Sequence, residues 1–254
     1  MKSLGFDSDF ELDVNIGRYP RNAGGVVQSA YQTTNTLGTE SDVWSGAAAG
    51  VNMTWLQAAI KLEVLSADAT DSAAGAGART IFLIGLDANF NQITESVTLN
   101  GVTPVATVQS FLRLNRAWVA TAGTWGGANA GLITIRGISA GATQGLIPIQ
   151  AGRLAKSQFT VPAGKKFLMQ SVIMASEATK PCTFKVYIRE AAALAAPFGS
   201  KQLGLIYNGI EGAYKNDLHN LPALAEKIDI WMTATPSANN TIVSVEIQGI
   251  MYTA

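Results

Sequence analysis

Apolar and polar residues alternate strictly near the start of the chain. Phe6, Phe10, Leu12, Val14 and Ile16 share one parity, and Asp7, Asp9, Glu11 and Asp13 share the other. An extended strand sends successive side chains to opposite faces, so this segment would carry one apolar and one acidic face, whereas a helix would scatter both sets. The pattern predicts either an arm that docks its apolar face on a neighbouring subunit or an edge strand of the chain's own domain. Residues 17–50 then turn polar and glycine-rich and read as an irregular lead-in, with Asp42-Val43-Trp44 near its end.

From there on, short apolar and β-branched runs recur between turn signals. They fall at 60–66, 80–86, 93–99, 105–111, 116–121, 132–138 and 144–149, then at 156–161, 166–175, 182–189, 202–208, 227–235 and 241–252. Such spacing without long helical periodicity predicts an all-β fold. We expect two consecutive antiparallel β-sandwich, jelly-roll-like domains at 51–150 and 151–254, preceded by the extended arm and lead-in of residues 1–50. The helix candidates are short: Trp55 to Ala59 and Glu190 to Pro197.

Composition narrows the function class. The 254 residues include 18 basic and 18 acidic side chains, and charged residues make up 14%, against about 25% in a typical soluble domain. With 25 glycines and much alanine, such a surface suits a subunit that buries area against copies or partners. No basic cluster supports nucleic-acid binding. One cysteine, Cys182, leaves no internal disulfide, and its strand-like surroundings predict a core residue. No secretory signal or membrane-length apolar run is read from the sequence, so folding in a cytosol and no membrane partner are expected.

Several motifs could carry chemistry, and each has a plainer reading. Ser66 to Thr80 holds a Gly-x-Gly core after a strand, but the third glycine is missing and Thr80-Ile81-Phe82-Leu83-Ile84 reads as another strand, not the helix a phosphate loop opens. Asp68 and Asp71 in that loop offer oxygen ligands for calcium, although Ser/Asp/Thr-rich loops are ordinary turns. Gly137-Ile138-Ser139-Ala140-Gly141 matches a nucleophile elbow without the helix it needs. The sole histidine, His219, has Asp217 nearby but too few companions for zinc. Tryptophans 44, 55, 118, 125 and 231 could stack on sugars, Trp125 being best placed on a glycine-rich loop. We therefore expect no enzyme, no cofactor and no metal.

Three stretches carry a resemblance: residues 62–135, "FTVPAGKKFLMQSVIMAS" at 159–176, and "EKIDIWMTATPSANNTIVSVEIQGIMY" at 226–252. Together they resemble virion structural proteins, decoration-like or fibre-like, of tailed bacteriophages of marine bacteria. The resemblance implies a virion component with β-sandwich domains, assembled in the host cytoplasm, and transfers no catalytic residue. The leading expectation is a capsid decoration (cement) subunit, a homotrimer that binds the major capsid protein or other virion proteins through the arm residues Phe6, Phe10, Leu12, Val14 and Ile16. The alternative is a tail-fibre or receptor-binding subunit in which Trp125 touches a host glycan. An esterase using Ser139 is a third class.

Overall fold

A computed structural model describes residues 24–32, 36–45, 52–124, 126, 128–191, 201–218 and 221–253, and among them it contains strands and turns but no helix. β1 (Gly24–Gln32) and β2 (Ser41–Asp42) come first. β3 (Ile60–Ser66), β4 (Ala78–Leu86), β5 (Gln92–Thr98), β6 (Val105–Phe111), β7 (Arg113–Ala122), β8 (Ile133–Gly137) and β9 (Thr143–Ile147) follow. The chain then forms β10 (Phe159–Thr160), β11 (Lys165–Ser176), β12 (Cys182–Glu190) and β13 (Gln202–Ile210). It finishes with β14 (Gly212–Asp217), β15 (Ile228–Pro236) and β16 (Val243–Thr253), and every pairing of strands is antiparallel.

Two sheets, ordered β6-β3-β8-β9 and β5-β4-β7, close on one core that includes Leu62, Val64, Ile81, Leu83, Phe111, Leu114, Ile133 and Ile135. The alternation read from sequence is what fills it: in β8, Ile133 and Ile135 are buried while Thr134 and Arg136 between them are half exposed.

A second pair of sheets, β1-β16-β11-β14 and β10-β15-β12-β13 with β2 also on β15, encloses Phe167, Val172, Met174, Phe184, Val186, Ile230 and Met232. In β11 the buried set changes parity, from Phe167 and Met169 to Val172 and Met174. A bulge between Met169 and Ser171 absorbs the extra residue, Gln170, which keeps both halves of the strand facing the core. A smaller cluster of Leu86, Phe90, Leu112 and Ala191 joins the two sandwiches.

The two are nested in the chain. β2 and β10 lie along the same edge of β15 and run in the same direction, at Asp42 opposite Thr233 and Phe159 opposite Ile230. Between them the chain leaves and returns through a two-stranded neck. Ser45 N–H donates to Ala155 O (2.9 Å), Trp44 bridges Lys156, and Ser157 N–H donates to Val43 O (3.1 Å). Everything from β3 to β9 is thus an excursion between two halves of one interrupted edge.

The all-β, antiparallel sandwich class is as the periodicity predicts. The lead-in differs: within residues 17–50, Gly24–Gln32 is a full strand paired with β16 along its length. Its core-facing positions include Gln28 and Gln32, which hid the apolar face from a pattern reading. The helix expected at Trp55 to Ala59 is absent, because Arg113 Nη1 takes Leu56 O at 2.7 Å and Trp55 lies against Trp231. Of the other helix candidate, Glu190 ends β12, Ala191 is in a turn, and the remainder lies outside the described residues.

Candidate functional site

The Gly-x-Gly loop between β3 and β4 is organised around a carboxylate. Asp71, fully buried, accepts hydrogen bonds from Ser66 Oγ (2.6 Å), Ala78 N–H (2.6 Å), Ala130 N–H (2.9 Å) and Gly131 N–H (2.9 Å). A side chain at Gly77 would meet Asp71 Oδ1 at 2.2 Å, so the glycine is there to let the backbone close on this carboxylate. The N–H groups that might hold a phosphate are spent inside the fold. Asp68 makes a local turn with Thr70 N–H and Oγ1 (2.8 and 2.6 Å).

The Gly137–Gly141 motif is a hairpin turn between β8 and β9. Ser139 and Ala140 both have positive φ, 59° and 57°, as such tight connections require. Their N–H groups donate to Glu63 (3.2 and 3.1 Å), which also accepts from Arg136 Nε at 2.7 Å. Burial pushes the Glu63 carboxyl up, but Arg136 and these N–H groups together hold it below its ordinary range. An oxyanion would find those donors already occupied. Cys182 is buried in β12, and burial pushes its thiol up to about 12, far from nucleophilic.

The richest polar constellation lies where the sandwiches meet. Asp229 of β15, with no exposure, accepts from Arg113 of β7 (Nε, 3.1 Å; Nη2, 3.3 Å), from Arg189 of β12 (Nη2, 2.6 Å) and from Thr160 Oγ1 (2.6 Å). Arg113 and Arg189 also lie over the Trp55 ring, at 5.1 and 4.7 Å from its centre. Trp231 stacks on Tyr187 at 5.5 Å, and Lys201 Nζ sits 3.6 Å from the Tyr187 ring centre. This cluster ties β7 of one sandwich to β12 and β15 of the other.

Two ionisable groups in the neck are held against their ordinary charge states. Lys156 is 2% exposed, and its Nζ reaches only Gln144 O (3.4 Å) and Met53 Sδ (3.8 Å). Burial, reinforced by the Arg113 charge, pushes its ammonium down to about 7. Asp42 Oδ2 accepts from Met53 N–H at 3.0 Å, yet burial pushes this carboxyl up to about 6. These are structural groups of the joint, facing no open cavity.

The accessible features are edges. β13 and β14 are the last strands of opposing sheets, and they expose Leu203 (51%), Ile206 (48%) and Tyr214 (44%). Tyr207 holds this pair together by accepting from Asn216 Nδ2 at 2.8 Å. β1 is likewise an outer strand, paired only with β16 among the described residues. Two hollows of about 330 and 210 Å³ follow its outer side from Gly24 to Ser29, with β7 of the other sandwich in the far wall, and a third of about 250 Å³ lies across β1, β16 and β11 under Ala151, Arg153 and Ala155.

Of the residues singled out by sequence, Phe6, Phe10, Leu12, Val14, Ile16, Trp125 and His219 lie outside the described residues. Trp44 and Trp231 are buried, and Trp118 packs on Phe82 at 4.8 Å, so none of these three offers a free ring face of the kind a sugar platform needs. Among the described residues, no group of three His, Cys, Asp or Glu side chains converges to hold a metal ion. Asp229, Lys156 and the β13–β14 edge went unmarked at the sequence level, while Asp71, marked there as an oxygen ligand for calcium, accepts four hydrogen bonds from within the fold. The sequence matches no protein-family model, and no curated protein matches it.

Proposed function

We propose that this chain is a non-enzymatic assembly subunit of a tailed-phage virion, a decoration protein that binds the head lattice and copies of itself. The observation that carries this reading is the β13–β14 edge, where Leu203, Ile206 and Tyr214 project from two strands that end their sheets among the described residues. Long apolar edges are a hazard for a free monomer, and natural proteins blunt them with charge or cover them. Lys215 and Asp217 of β14 pair with each other at 2.8 Å, and charged residues are only 14% of the whole chain, so a covering partner is the consistent arrangement.

Two further features support it. The order β1-β16-β11-β14 against β10-β15-β12-β13, with β2 and β10 as two pieces of one strand, reads as an eight-strand jelly roll. That architecture recurs in viral capsid domains, which is an argument by analogy of fold alone. The sequence resemblance to phage virion proteins points the same way.

The test is localisation on intact virions by electron cryomicroscopy, combined with Leu203→Asp/Ile206→Asp subunits added to heads. Density at threefold or quasi-threefold positions of the head, lost in the double variant, is the expected result. Density confined to the tail would replace the decoration role with the fibre one, and no density in the particle would end the virion reading.

A further inference from the structure

The groove beside β1 has the shape and charge of a receptor for a strand. One wall is the outer edge of β1, whose next backbone partner is open among the described residues, and Val27 projects there with 42% exposure. The other wall comes from β7 and the chain returning to the neck, through Arg116, half-buried Trp118 and Arg153. Arg116, Arg153 and Lys165 line the groove against a single carboxylate, Glu246. Neither arginine pairs with a carboxylate among the described residues.

The chain contains one segment complementary to this groove. Residues 6–16 alternate an apolar set with Asp7, Asp9, Glu11 and Asp13. At about 3.3 Å per residue, these eleven residues would extend roughly 36 Å, against roughly 30 Å for the nine residues of β1. The apolar face can meet exposed Val27 and the half-buried side of Trp118, the acidic face fits the basic rim, and the backbone can pair with an open edge.

We propose that the groove beside β1 takes residues 6–16 of a second copy of this chain, so that each subunit donates an arm to one neighbour and accepts an arm from another. This rests on the self-assembly reading above and names the partner of the arm. Folding back within the same molecule would bring Arg18 and Arg21 of the seven-residue connector to the Gly24 end of the groove, beside Arg116 and Lys165. Arg18 and Arg21 sit near that end in either arrangement, so it is the self-assembly reading that selects a second copy, which a connector of up to roughly 25 Å can reach. A donor-to-acceptor contact of this kind is heterologous and closes into a ring when its rotation allows.

The test uses full-length chains and sedimentation velocity. Leu12→Asp/Val14→Asp spoils the arm, and Val27→Asp spoils the groove. The wild type is expected to sediment as a closed multimer, each variant alone as a monomer, and an equal mixture of the two as a two-copy complex, because one intact arm then meets one intact groove. Raising salt or introducing Arg116→Glu/Arg153→Glu should weaken the wild-type multimer at least tenfold. A wild-type monomer would overturn the proposal, and protection from hydrogen exchange at the outward β1 amides, those not bonded to β16, would show that the arm folds back on its own chain. Variants that keep the wild-type mass would overturn it as well. If Val27→Asp fails to fold, the arm variant alone still decides. Particle binding is scored separately, so loss of the head role leaves arm exchange standing, and the reverse.

Discussion

Replacing Lys156 by methionine should stabilise the protein and flatten its response to pH. Methionine keeps an unbranched chain of similar volume and removes the charge, so the site needs little repacking. Burial takes the ammonium from 10.5 to about 7. At pH 7 the unfolded chain binds this proton fully while the native chain holds it only half the time, so stability rises with pH from about 7 towards 10.5. At about 1.36 kcal/mol per pH unit, the shift amounts to a ceiling of about 4 kcal/mol at pH 7 and about 2 kcal/mol at pH 9. Relaxation around the amine lowers both figures, so we expect a gain of about 2–4 kcal/mol at pH 7 that shrinks by roughly half at pH 9. Urea unfolding followed by tryptophan fluorescence at pH 6, 7, 8 and 9 measures it directly. A variant less stable than wild type at pH 7 would refute the reasoning, and so would a gain that does not change with pH.

Removing the buried carboxylates Asp229 and Asp71 should have the opposite effect. Asp229→Asn leaves Arg113 and Arg189 buried without their carboxylate and should cost about 3–5 kcal/mol, visible as a lower melting temperature. Asp71→Ala removes the acceptor of four hydrogen bonds and should cost about 3–5 kcal/mol, with hydrogen exchange accelerated at Ala78, Ala130 and Gly131. Asp42 binds a proton in the native state up to about pH 6 and in the unfolded state only up to about 3.8, so its contribution falls as pH rises between them. Asp42→Asn keeps an oxygen for Met53 N–H and should therefore raise stability at pH 8 while changing little at pH 3.5, as read by thermal melts at the two pH values.

How much of this could be read from sequence depended on whether a residue's role was periodic. β3 to β9, β11 to β13, β15 and β16 announced themselves because alternate positions face a core, and their bounds moved by only a few residues. β1 did not, since Gln28 turns its amide to three carbonyls, of Asn115, Lys156 and Gln158, instead of to an apolar core. β14 is short and largely solvent-facing, so no buried face marked it. The turn reading of the Gly-x-Gly loop agrees with the structure, because it rested on the strand that follows the glycines, and the Gly-x-Ser-x-Gly motif is likewise followed by a strand and not by the helix an elbow needs. The joint stayed hidden: Asp229 meets Arg113 across 116 positions, and no local pattern marks a carboxylate or an amine that the fold will bury.

The interrupted edge also governs the order in which the molecule can be completed. As the chain leaves the ribosome, β3 to β9 emerge as a contiguous block and can close on their own core before the rest is made. β1 must wait for β16, and β2 must wait for β15. A nascent chain thus carries β1 and β2 without their partners until β15 and β16 have been made. The outer sandwich is therefore sealed last, after the inner one has had the chance to close.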